Sequence, residues 1–195
     1  FPPYAGNFLA ALCREKSDVP LLLNLLEHPN RWVRINATKA LIFMDAKEAI
    51  GPLARKLAES PPEADYGFFA GRLHDTPQVG QDEFNDPTPR DREAYIMALG
   101  KLEAAEHVPM LVEILFDERN ALECRYAAAR ALDMLGTPAA VDALRQAECN
   151  HDFHTVRAVA REALWRRGIA PTVDLKEPST TPPPVFPSPP ASPLA

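Results

Sequence analysis

The sequence predicts an all-α protein in which pairs of helices repeat along the chain as an α-solenoid. Three observations carry that expectation. A nine-residue segment with an arginine near its start and Ala-Leu near its end recurs four times. An apolar stretch with helical spacing precedes each copy. Glycine is scarce, at 8 of 195 residues, while proline is abundant at 21. That balance argues against a glycine-rich nucleotide-binding scaffold and against a sheet dense in tight turns.

The recurring segments are Val33–Leu41, Asp91–Leu99, Cys124–Leu132 and Val156–Leu164. Their arginines, Arg34, Arg92, Arg125 and Arg157, are 58, 33 and 32 residues apart. One period of about 32 residues therefore leaves an insertion of roughly 26 in the second interval. The preceding apolar stretches begin at Val19, Ile50 and Val108, with a fourth around Val141–Leu144. Pro20 and Pro109 stand near the starts of two of them, where a missing N–H costs little because early helix donors lack partners anyway. Turn and capping residues separate the two helices of each pair: His28-Pro29-Asn30, Asp86-Pro87-Thr88-Pro89, Asp117-Glu118 and Asn150-His151-Asp152. The expected units are about 18–44, 46–102 with the insertion at 60–89, 104–135 and 138–167, with a partial leading helix at 8–16. Together they make a repeat domain over 1–169, followed by a flexible proline-rich tail or linker over 170–195.

Counted from each arginine, positions −1, +3, +6, +7 and +10 share a stripe about 100° wide. In the first unit these are Val33, Ala37, Ala40, Leu41 and Met44. Alanines there allow close helix approach and leucines fill the remaining space, so each pair is expected to be held by its neighbours. The arginines themselves admit two readings: a row gripping an anion, or pairing with carboxylates and helix ends between units. The second is favoured because the arginine belongs to the repeat pattern.

The pattern Val-Pro-x-Leu, then Asp-Pro, then Val-Arg-x-x-Ala-x-x-Ala-Leu resembles HEAT-type repeats, particularly the short variety named after phycobilisome lyases. The resemblance covers about residues 8–168. It implies a right-handed superhelix of about four helix pairs, and a family that spans lyases, scaffolds and adaptors.

The net charge of −6 is concentrated in residues 60–91, which hold seven carboxylates and two cations. No stretch supplies the accumulated Lys and Arg that phosphate backbones need, so nucleic acid is disfavoured as a partner. The insertion also carries Tyr66, Phe68, Phe69 and Phe84, too many aromatics for a plain solvated linker. Docking of this loop on the solenoid is the favoured expectation, and a partner-binding knob is the other. Residues 171–195 contain nine prolines, which suits extended polyproline conformations as a linker or as a ligand for a proline-recognising domain.

Three cysteines, far apart and odd in number, argue for buried thiols rather than a disulfide framework. No apolar run reaches 18 residues and no leader pattern opens the chain; Phe1 at its start suggests a piece of a longer protein. A cytoplasmic setting is the default expectation.

Chemistry-bearing patterns are few. Cys149, His151 and His154, with Asp152, have metal-ligating atom types but match no standard zinc spacing, so they are weak candidates. The repeats also resemble those of deoxyhypusine hydroxylase, whose iron-binding His-Glu pairs appear here in reverse as Glu27-His28 and Glu106-His107, without recurrence at matching positions. No cofactor is expected. Positions +1, +5 and +8 lie opposite the core stripe and form a mixed, partly apolar ladder. The candidate partner-binding residues are Ile35, Lys39, Tyr126, Arg130 and Trp165 on that ladder, with Tyr66, Phe68 and Phe69 on the insertion. Packing beneath the neighbouring unit is the competing reading of the ladder. The expected function is a non-catalytic scaffold that contacts a protein, a peptide or another domain of the same parent chain. The resemblance to phycobilin lyases supplies the alternative, action on a tetrapyrrole and its protein acceptor.

Overall fold

The computed structural model describes residues 15–60, 91–150 and 152–170, and among them there are eight α-helices and no strand. In chain order they are α1 (Val19–Leu25), α2 (Arg31–Phe43), α3 (Ile50–Glu59), α4 (Asp91–Lys101), α5 (Val108–Phe116), α6 (Leu122–Leu135), α7 (Pro138–Asn150) and α8 (His154–Arg166). The expected starts hold: α1 and α5 open on Val-Pro with the proline in the first turn, and the Asn30 side chain caps α2 by accepting from the Trp32 amide at 2.9 Å. The expected leading helix lies mostly outside the described residues. Its end differs, because Lys16–Asp18 form a 3-10 turn that feeds α1.

Each second helix packs on its own first helix and on the second helix of the next unit. Thus α2 contacts α4, α4 contacts α6, and α6 contacts α8. This translational stacking of helix pairs is an α-solenoid. One continuous core runs through it, including Ala37, Ala40 and Leu41, then Ala98 and Leu99, Ala131 and Leu132, and Ala163 and Leu164. Val33, read as a core position, is only half-buried, while Met44 packs partly against the core.

The turn after each second helix repeats as well. The residue eleven places beyond the arginine is Asp45, Glu103, Gly136 and Gly168, and all four have positive φ of 50°, 59°, 59° and 70°. In three units the next amide returns to the carbonyl of the helix leucine: Ala46 to Leu41, Ala104 to Leu99 and Ile169 to Leu164, each at 3.0 Å. This left-handed cap closes otherwise unpaired helix-end carbonyls. Glycine suits it, whereas a β-carbon there costs about 1 kcal/mol. Glu103→Gly is therefore expected to raise stability, by less than that full amount because the exposed ion pair from Lys47 to Glu103 at 3.1 Å is lost. Urea unfolding midpoints of the two proteins check this; a lower midpoint for the variant contradicts it.

Candidate interaction surface and inter-unit cleft

The four arginines do the same mechanical work at successive joints. Each places guanidinium donors on carbonyls at the end of its own first helix or in the turn that follows; for Arg92 and Arg125 this is the helix pole at which a cation is favourable. Arg34 donates to the His28 and Pro29 carbonyls at 2.7 and 2.9 Å. Arg92 donates to Leu57 at 2.8 Å and to Ser60, Arg125 to Leu115 at 3.2 Å, and Arg157 to Asp152 at 2.9 Å. The first three also reach into the following unit. Arg34 pairs with Asp91, Arg92 donates to Asn120 Oδ1 at 3.2 Å, and Arg125 lies over the Phe153 ring at 4.9 Å with Asp152 at 4.0 Å. Inter-unit pairing, not anion capture, is what these contacts build.

A cleft of about 390 Å³ lies at the first joint, lined by residues that include Glu27, His28, Arg34, Lys56, Glu59, Ser60, Asp91 and Tyr95. Its cations are already engaged, Arg34 with Asp91 and Lys56 with Glu27. Ser60 Oγ donates to the Lys56 carbonyl and His28 Nδ1 accepts from the Asn30 amide, so the two do not form a nucleophile and base. The Asp91 carboxylate is 5% exposed; Oδ2 accepts from Arg34 and from the Tyr95 hydroxyl at 2.9 Å, and Oδ1 is buried with no hydrogen-bond partner among the described residues.

Burial, and then the neighbouring Asp91 charge, push the Tyr95 phenol well above its ordinary value of 10. The folded state thus resists ionisation that the unfolded chain undergoes freely near that pH. The stabilisation is complete below about pH 10 and is lost as pH rises above it. Tyr95→Phe removes the ionisable group along with its hydrogen bond, at a neutral-pH cost of about 1–3 kcal/mol. Denaturant titrations of both proteins between about pH 8 and pH 11 should show that gap narrowing with rising pH. A constant gap contradicts the assignment.

Residues 81–165 match the model of the family described as HEAT repeats. That stretch of the chain is built of HEAT-like repeats. The matched stretch includes α4 to α8, and the unit before it, α1 and α2, bears the same two marks: the joint arginine Arg34 and the left-handed residue Asp45. No curated protein matches the chain.

In this HEAT-like array the +1, +5 and +8 positions are only in part an outward side. Ile35, Gly100 and Asp133 are buried, because each second helix before the last is held between neighbours and this stripe turns toward the following unit. Ile35, a candidate contact, is only 8% exposed. Lys39 is exposed, Tyr126 is 39% exposed, Arg130 is half-buried and Trp165 is 72% exposed. Lys39, Glu93 and Glu123 stand close enough to interact, which links α2, α4 and α6 along one surface. Loss of surrounding water, then repulsion from Glu123, raises the Glu93 carboxyl, with Lys39 opposing. Tyr126 and Arg130 continue that surface one and two turns beyond Glu123 on α6. Sequence reasoning passed over Glu123, whose signal was its place three residues before Tyr126.

Tyr66, Phe68, Phe69 and Phe84 lie outside the described residues, as do the rest of the insertion and the proline-rich tail. His151 of the weak metal candidates is also outside them. Cys149 and His154 are described, and among the described residues no three His, Cys, Asp or Glu side chains stand together as a metal group. Cys124 is buried and Cys149 half-buried, and neither is in a disulfide. No helix among the described residues is long and apolar enough to cross a membrane.

Proposed function

We propose that residues 1–169 form a non-catalytic scaffold that binds a protein or peptide along the surface of Lys39, Glu93, Glu123, Tyr126 and Arg130, with 170–195 as its proline-rich tail or linker. The observation that carries this reading is Tyr126. It stands out at the surface of α6, while Ala127, Ala128 and Ala129 beside it are buried, and α6 packs on α4, α5, α7 and α8. A rigidly mounted aromatic with alternating charges around it has the composition of an interface anchor, in which Tyr and Arg are enriched. The bilin-lyase alternative has no supporting observation among the described residues.

A photo-crosslinking residue in place of Tyr126, in the full chain, should join to one protein in stoichiometric amount. Purified and recombined, that protein should bind the native chain, and Tyr126→Ala should weaken binding by about tenfold or more without shifting the melting temperature. A purified crosslinked protein that binds Tyr126→Ala as tightly as the native chain would sink the proposal, as would an absence of any crosslink.

A further inference from the structure

The +8 position of a second helix marks where the next one seats. On α4 it is Gly100, at which a β-carbon would lie 2.7 Å from Ala131 Cα of α6. On α6 it is Asp133, which accepts from Arg166 of α8 at 2.7 Å and from Arg167. On α8 the same register position is Trp165, and it is 72% exposed. Ala158 and Glu162, at +1 and +5, are exposed with it. Among the described residues, therefore, no helix stacks on the side of α8 that continues the stacking direction, and that side bears the largest side chain.

We infer that this face of α8 pairs with the same face of a second copy of the chain. Two features point to a second copy. The face continues an established interface, the second-helix stacking that runs through α2, α4, α6 and α8. It is also complementary to itself. Ala158, Arg161, Glu162 and Trp165 follow the i, i+3, i+4, i+7 spacing of a two-turn helix seam. Antiparallel pairing about a twofold axis between Arg161 and Glu162 sets Trp165 over the partner's Ala158 and Arg161 beside the partner's Glu162. A large side chain thus meets a small one and each charge meets its opposite. Arg161 reaches buried Glu148 at 3.2 Å and remains 38% exposed, so its outer side is available to the partner's Glu162. Such an isologous contact closes on itself as a dimer rather than growing into a filament. It does not rest on the scaffold reading, since the Tyr126 surface belongs to α6.

Sedimentation equilibrium of the full chain from about 10 µM to about 1 mM tests this directly. A monomer–dimer equilibrium is expected, and Trp165→Glu and Ala158→Arg should each raise its dissociation constant at least about tenfold with the melting temperature unchanged. Because Trp32 and Trp165 are the two tryptophans, a Trp32→Phe chain reports Trp165 alone, and its emission should shift to shorter wavelength as the dimer forms. A monomer throughout the range overturns the inference, and so does a dimer that survives both substitutions or assembly beyond the dimer. Both substituted positions are exposed, so either variant alone is decisive if the other fails to fold.

Discussion

Leu132→Asp is expected to unfold the array. Leu132 is fully buried on α6, the helix that packs on both neighbouring second helices and on two first helices. A carboxylate there loses its water and gains no counter-charge, while the apolar contacts of the leucine are lost as well. The combined penalty, upward of about 4 kcal/mol, is comparable with the whole stability of an ordinary domain. Far-UV circular dichroism should show loss of helix, or a strongly reduced urea midpoint. Tyr126→Asp, on the same helix but at the surface, should leave both nearly unchanged. A cooperative, native-like melt of Leu132→Asp would mean that this face of α6 is not the one enclosed.

The second large effect is expected at Gly100. Replacing a helical glycine by alanine ordinarily stabilises, by up to about 1 kcal/mol in a helix interior and by less at Gly100, one residue before the end of α4. Here the added carbon would stand 2.7 Å from Ala131 Cα and 2.9 Å from its Cβ, inside contact distance of backbone that cannot rotate away. The helices must separate, and overpacking of this kind costs about 1–3 kcal/mol. Gly100→Ala should therefore destabilise despite its better propensity, and Gly100→Leu should do so more severely. Ala131→Gly opens space opposite, so the pair Gly100→Ala with Ala131→Gly should recover part of the loss. Chemical denaturation of the four-member cycle measures this. Additive losses would show that the Ala131 methyl is not part of what the added carbon strikes.

The stacking was legible because it rests on short-range periodicity. The Arg-to-Leu segments, the Val-Pro helix starts and the 32-residue interval all act within one unit, and the second helices formed where those signals lay. The joint arginines were legible in role, since a guanidinium recurring at the head of a helix suits the carbonyls of the preceding turn and helix end. Less was visible at the turns. Gly136 and Gly168 advertise a left-handed residue, whereas Asp45 and Glu103 adopt the same φ with ordinary side chains, so the shared cap emerged only from the backbone.

Which side of a helix stays open is a different matter. Periodicity identifies the stripe facing a helix's own partner, but neighbours related by translation close a second stripe, and their position depends on crossing and approach between units. Ile35, Gly100 and Asp133 looked outward by angle and are buried, and Gly100 and Asp133 meet the next second helix. Trp165 has the same register and is exposed, because burial of that stripe depends on whether another helix is stacked there. The sequence by itself determined the helices, their pairing and the order of stacking, since these follow from contacts a few residues apart. The tertiary structure alone decided that Tyr126 and Trp165 present themselves while Ile35 does not, because exposure is a property of what lies across the gap.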